Sequence, residues 1–352
     1  MEKDRVGRNI TLRDIAERMN LSVTTVADAL KDRPNVRVAP ATREAVRQEA
    51  ARLGYQPNVF ARRLVNRRAG NLIGLVSKRF SGYHIRERQY TQLHCALAET
   101  EYELAFVSAA HQERLAEAVN GFLRLQPAAL LWATEWKDPP ALEAALTEYI
   151  EAGGIVVSFD DDRDVPCDSV VFDEIEHAEL AMRHLLELGH RFIGVGLDEW
   201  PHGLHAQGVF RALTACGLDP ERHLRFYPSG DWHDFEDGTA TAEAWLAQAD
   251  RPAAMSLFND RKAAGFIRRV TDAGVRVPED VSVIGHDNEN FCPYLATPLT
   301  TVTRFESLIV ETALELLRDR LERRYVGPPR RRVIRSRVIV RASTAPVRGP
   351  GT

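Results

Sequence analysis

The chain has 352 residues, 44% hydrophobic and 27% charged, an ordinary globular composition long enough for two or three domains. No apolar run reaches the roughly 18 residues a membrane helix needs. The start, MEKDRVGRNI, lacks a signal peptide's apolar stretch, so a cytoplasmic protein with no membrane partner is expected. Charge is divided unevenly: residues 1–70 carry 15 Lys and Arg against 8 Asp and Glu, and the remainder carries 31 against 42. A basic head on an acidic body suits a phosphate-binding module joined to a globular domain, or else a solvated helical bundle with an arginine-rich surface. Cys95, Cys167, Cys216 and Cys292 stand apart, without a CxxC pair, and read as thiols in a reducing compartment.

In chain order, the first helix is signalled by Thr11 and Asp14, which resemble a capping box, with Leu12, Ile15, Ala16 and Met19 at helical spacing behind them. After Asn20–Leu21, Ser22 is an N-cap for a second helix with Val23, Val26 and Leu30 on one face. A third helix starts at Pro40, turns Val46, Ala50 and Leu53 inward, and stops at Gly54. Helix, tight turn, helix is how proteins lay an exposed helix in a DNA major groove. The segment Pro57–Leu64 is too short to be a stable helix alone and needs a partner, such as a dimer mate together with DNA.

Beyond Arg67–Asn71, short apolar strands alternate with amphipathic helices. Strands are expected near 72–76, 104–108, 129–133, 155–159, 169–172, 192–196, 254–258 and 281–285. Helices are expected around 86–100, 112–125, 140–152, 175–188, 203–216, 238–249, 260–273 and 305–324. Such alternation argues for parallel sheets covered on both faces, with ligands beyond the carboxyl ends of the strands. The Pro- and Gly-rich end, 345–352, is expected to be disordered.

Residues 11–64 resemble the headpiece of the LacI family of bacterial transcription regulators. The match is carried by Leu21, Ser22, Thr25, Val26, Ala29, Leu30, Val38, Thr42, Arg43, Leu53, Gly54, Tyr55, Pro57, Asn58, Ala61, Arg62 and Leu64. The body resembles the same family's two-lobed, periplasmic-binding-protein-like core through the runs 72–76, 184–191, 259–260, 277–285, 297–302 and 340–344. The fold implied is a small all-α helix-turn-helix headpiece joined to a two-lobed α/β core with parallel sheets. The headpiece would span 1–54, with a hinge helix and linker over 55–70 and the core over 71–344. The lobes would comprise 71–167 with 300–329, and 168–299 with 330–344, crossing near 165–170, 298–302 and 328–332.

The function this resemblance implies is a homodimeric, effector-controlled repressor on a pseudo-palindromic double-stranded operator. Thr11 and Leu12 open the headpiece, Ser22, Val23, Thr24 and Thr25 would face the major groove, and Tyr55, Asn58, Ala61 and Arg62 would serve the hinge contact. Leu64 would be the minor-groove wedge, an apolar side chain that unstacks a base step and bends the duplex. The chain departs from the family pattern at Ala27, Asp28, Ala39 and a loop over 31–37 that is two residues longer. Asp28 near the groove can only accept, so it either alters operator preference or turns to solvent.

In the family, effectors sit between the lobes on hydrogen-bonding groups and an aromatic surface, which suits a carbohydrate-like molecule. By position, Asp173, Asn259, Asp260 and Asp287 are the polar candidates, with Trp232 and Tyr83 as the aromatics. His205 stands where relatives usually carry an arginine. Arg304 either pairs an anionic group on the effector or binds an acid at the lobe boundary.

Other chemistry is thin. Asp160, Asp161, Asp162 and Asp164 read as a solvated loop, and His202 with His205 lack a third ligand nearby, so no metal site is expected. No phosphate loop, nucleophile elbow or catalytic constellation appears, and neither a cofactor nor an enzyme is expected. The rival readings are a binding protein with a degenerate, non-specific head, and an enzyme acting in the cleft.

Overall fold

The computed structural model describes residues 10–30, 38–55, 70–77, 84–108, 114–133, 140–159, 165–197, 203–228 and 235–347. The chain separates into two compact units, 1–69 and 70–352.

The first unit contains α1 (Leu12–Met19), α2 (Val23–Ala29) and α3 (Pro40–Arg52). Thr11 closes the capping box: its hydroxyl accepts from the Asp14 N–H at 3.3 Å, and the Asp14 carboxylate accepts from the Thr11 N–H at 2.8 Å. Asn20, at φ 52°, turns the chain out of α1, and Ser22 caps α2 by accepting from the Thr25 N–H at 3.0 Å. Ala39 makes no side-chain cap on α3, and Gly54, at φ +66°, ends it. The core is small, built from Ile15, Ala16, Val26, Ala29, Val46 and Ala50. Val23, expected on one face with Val26 and Leu30 and also at the groove, is 45% exposed, whereas Val26 and Ala29 are buried in the core.

The second unit has two six-stranded sheets. Its strands are β1 (Leu72–Val76), β2 (Glu103–Val107), β3 (Ala129–Trp132), β4 (Val156–Phe159), β5 (Asp168–Phe172) and β6 (Ile193–Leu197), followed by β7 (Leu224–Pro228), β8 (Ala254–Leu257), β9 (Ser282–His286), β10 (Thr300–Thr303), β11 (Arg331–Ile334) and β12 (Arg337–Ile339). The helices are α4 (His84–Ala98), α5 (Leu115–Leu123), α6 (Pro140–Glu151), α7 (Glu174–Glu187), α8 (Leu204–Ala215), α9 (Pro220–His223), α10 (Phe235–Leu246), α11 (Asp260–Asp272) and α12 (Glu306–Leu321). The sheet orders are β11-β5-β4-β3-β1-β2 and β12-β10-β9-β8-β6-β7. All pairings are parallel except β10 with β12. The inner strands are buried throughout, which is why they read in the sequence as unbroken apolar runs. No helix of the described residues is long and apolar enough to cross a membrane.

The chain passes between the lobes three times: between β5 and α7, between β10 and α12, and between β11 and β12. Each crossing falls a few residues later than the expected boundary. β5 runs through residue 168 to pair with β4 and β11 in the first sheet, and β10 pairs with β9 and β12 in the second. The expected disordered end is also corrected for residues 345–347. There the Ala345 N–H donates to Ser282 and the Val347 N–H to the Leu188 carbonyl, pinning them to the second lobe.

Asp168 ties β5 to the return of the chain. Its buried carboxylate accepts from Arg320 at 2.7 and 3.0 Å, from the Arg330 guanidinium at 2.9 Å and from the Arg330 N–H at 2.8 Å. Burial pushes its pKa up, but the hydrogen bonds from the two arginines outweigh that and hold the carboxyl below its usual value. Its stabilising contribution is therefore present at neutral pH and is lost as pH falls through that depressed pKa. Asp168→Ala leaves two arginines facing a buried void. The expected loss is about 3–5 kcal/mol in urea denaturation at neutral pH, and a loss below about 1 kcal/mol would show that water replaces the carboxylate.

Candidate functional site

The headpiece surface expected to face the groove is the first turn of α2. Ser22, Val23 and Thr24 are exposed and Thr25 is half-buried. The Ser22 hydroxyl caps the helix and contacts the Thr25 hydroxyl at 2.8 Å, so both are held in fixed directions. Thr11 is exposed, whereas Leu12 and Tyr55 pack against the headpiece core. Asp28 is half-buried. Asn58, Ala61, Arg62 and Leu64 lie outside the described residues, as do the loop over 31–37 and the aromatics Tyr83 and Trp232.

In the core, several expected effector contacts prove to hold the scaffold. Asp173 caps α7, accepting from the Glu176 N–H at 2.9 Å, and Asn259 caps α11, accepting from the Lys262 N–H at 2.9 Å. Asp260 has no exposed surface. Its carboxylate accepts from the Thr301 hydroxyl at 2.6 Å, the Glu289 N–H at 2.7 Å and the Cys292 thiol at 3.1 Å. It therefore fastens α11 to β10 and to the segment after β9, and does not face the cleft. Desolvation by burial dominates over the hydrogen bonds from Thr301 and Glu289, and raises the Asp260 pKa to about 7. Next to this carboxylate, burial and the Asp260 charge push the Cys292 thiol up.

The carboxyl ends of the second sheet gather a different set. Arg304, just beyond β10, is buried, lies 4.1 Å from the ring centre of Phe172 and pairs with Asp287 at 3.9 Å. Arg304 thus pairs with an acid at the lobe boundary. Asp287 sits at φ 99°, and burial raises its pKa well above the usual value, with Arg304 opposing. His205 opens α8 beside the Phe258 ring, with centroids 4.8 Å apart. It is joined by two histidines that the sequence reading missed, His177 on α7 and His286 at the end of β9. Burial, then the neighbouring charges, lowers the pKa of both well below the usual histidine value, so they are neutral at pH 7. Gly208 allows this meeting: a Cβ there would lie 2.2 Å from the Ile175 carbonyl, so only glycine lets α8 approach α7 so closely. The one available signal was His286 beside Asp287, since nothing in chain spacing links His177 to either partner.

A cavity of about 690 Å³ lies between the lobes, lined by Arg88 and Gln92 of α4, Ser307 of α12, Arg261 of α11 and Glu289. Arg261 and Glu289 form an ion pair across 3.6 Å within it.

A helix-turn-helix head and a two-lobed core with a cleft at its strand ends define a ligand-responsive DNA-binding regulator. The lacI family of bacterial regulatory proteins matches residues 11–58, and the periplasmic binding protein-like domain matches residues 182–344. The HTH-type transcriptional repressor PurR of Erwinia tasmaniensis is 31% identical over 88% of this chain and 90% of its own. The lac repressor dimer bound to operator and the anti-inducer ONPF superposes with a TM-score of 0.74 at 24% identity, covering 96% of this chain and all of that one. The transcriptional regulator CelR in complex with cellobiose gives a TM-score of 0.65 at 25% identity, covering 95% of this chain and all of that one. The chain belongs to the LacI family: it is a DNA-binding transcriptional repressor with an effector-binding core, not an enzyme.

The raised pKa of Asp260 has a thermodynamic consequence. Between the unfolded carboxyl value, about 3.9, and about 7, the folded chain holds a proton that the unfolded chain releases. Stability therefore falls as pH rises through that window. In urea titrations from pH 4 to 7.5, Asp260→Asn is expected to flatten this part of the slope. An unchanged slope would mean that the carboxyl stays ionised in the fold.

Proposed function

We propose that the chain acts in the cytoplasm as a homodimer, each headpiece taking half of a roughly palindromic operator, under control of a small carbohydrate-like effector bound between the lobes. The observation that carries this reading is the placement of Arg304, Asp287 and the rings of Phe172 and Phe258 at the strand ends where the crossings meet. Polar groups beside ring faces match a polyol, whose hydroxyls need hydrogen bonds while its CH faces pack on aromatics. CelR, a relative of the same fold, is found with cellobiose. Effector control requires different affinities for the two lobe arrangements. The exposed Ser22, Val23 and Thr24 present hydroxyls and a methyl surface to base edges, and symmetry of the dimer sets a palindromic site. Asn58, Ala61, Arg62 and Leu64 serve the hinge contact in this reading, and Tyr83 and Trp232 the effector.

Selection of genomic fragments on the purified protein at fixed salt, then footprinting, tests the operator. A palindrome of about 14–20 base pairs, roughly one and a third to two helical turns, is expected. Fragments retained without any shared sequence would favour a non-specific head. Leu64→Ser is expected to weaken binding to the selected operator about tenfold or more while leaving the thermal transition of the core in place. Unchanged operator affinity in that variant would remove Leu64 from the minor groove.

A further inference from the structure

His177, His205 and His286 each offer a ring nitrogen, and these three atoms lie within 4.8 Å of one another. We propose that they bind one divalent transition-metal ion of the zinc class at the rim of the second lobe, directly beside the three chain crossings.

Two features support a ligand site over simple aromatic packing. First, Nδ1 of His286 is buried without a hydrogen-bond partner, a state that costs about 1–3 kcal/mol unless something compensates it. Second, the other histidines carry the outer partners that metal-binding imidazoles use. Nδ1 of His177 lies 2.8 Å from the Ser336 hydroxyl, and Nδ1 of His205 lies 4.0 Å from the Glu174 carboxylate. In a tetrahedral zinc site, ligand nitrogens lie about 3.4 Å apart, so the rings need to draw in by about 1 Å. Half-buried His205 has the room to do so.

The opposing force is Arg304, whose charge disfavours a second cation nearby. Its pairing with Asp287 and the Glu174 carboxylate beside His205 offset that field. Three protein ligands leave a fourth coordination position for water or an effector oxygen. Ser336 belongs to the third crossing, so an ion that fixes His177 also biases the chain between β11 and β12. Occupancy of the site is thereby coupled to the lobe arrangement.

The test uses the full, untagged chain stripped with chelator, then titrated with Zn²⁺ alone by equilibrium dialysis and with Co²⁺ by visible absorption. One ion per chain is expected, with the intense d–d bands of tetrahedral Co²⁺. His205→Gln is expected to weaken binding at least about 100-fold, and Ser336→Ala, which removes only an outer partner, about 10-fold or more. His286→Gln serves as the second variant, and each variant's melting curve confirms its fold. No stoichiometric binding, or binding unmoved by either histidine change, overturns the proposal. Operator affinity with and without Zn²⁺ is measured separately. Failure to bind metal leaves the repressor reading intact, and loss of operator specificity would not touch the metal result.

Discussion

The guanidinium of Arg304 against the ring of Phe172 is the contact on which the two-lobed core turns. Arg304 lies on the second chain crossing and Phe172 ends the strand before the first. The third crossing is brought to the same place by Ser336 on His177 and Arg335 on Glu176, at 2.9 Å. A buried cation must be paired, and this one pairs with Asp287 at 3.9 Å beside the Phe172 ring. Any change of lobe angle must repack that cluster, because all three connecting segments run through it. Packed clusters of this kind favour discrete arrangements over continuous bending, and a regulator needs discrete arrangements.

Around this junction, the polar groups of the second lobe divide into those that hold the frame and those that remain at the rim. Asp260 belongs to the frame: one carboxylate joins the start of α11, the hydroxyl of Thr301 and the loop carrying Glu289 and Cys292. Arg341 extends the same network, donating to the Leu299 carbonyl and to Asn288. In a low-dielectric interior such a satisfied network is stiff, because each bond lost leaves a buried group unpaired. Asp287, only one residue beyond β9, is thus presented at φ 99° by a rim that does not yield. Strain at this position is a mark of a site whose geometry is set by its surroundings.

Much of this was legible in the sequence, and the failures have physical causes. The eight inner and early strands were readable because buried parallel strands carry continuous apolar runs. Missed were β7, β10, β11 and β12, whose Leu-Arg-Phe-Tyr-Pro, Thr-Thr-Val-Thr, Arg-Arg-Val-Ile and Arg-Val-Ile lack such runs. Placing the crossings before β5, β10 and β11 instead of after them shifted every lobe boundary. Asp173, Asn259 and Asp260 were legible as residues at strand ends, but an Asp or Asn there serves equally as a helix cap, as Asp173 and Asn259 do, or as a tie between elements, as Asp260 does, and sequence cannot separate the roles. His177 and His286 were missed because their meeting depends on the close approach of α7 and α8 at Gly208, a tertiary event with no local period. The headpiece was read most fully, since its caps, its turn at Asn20 and its stop at Gly54 are all local.

That locality also explains the headpiece's energetic character. Among the described residues, its core has Ile15, Ala16, Val26, Ala29, Val46 and Ala50 fully inside, three of them alanine. At about 25 cal/mol per Å² of apolar surface, so small a core does little more than offset the entropy of ordering the backbone. Domains of this size sit near the limit of independent stability, so any ligand that binds only the folded form adds directly to it. The basic surface that the composition places in residues 1–70 supplies such a ligand in DNA, which binds through charge before sequence is read. A headpiece that depends on its target for stability is also one whose grip is easily withdrawn. Little free energy from a remote site is then needed to change occupancy, since a shift of about 1.4 kcal/mol already alters an equilibrium tenfold.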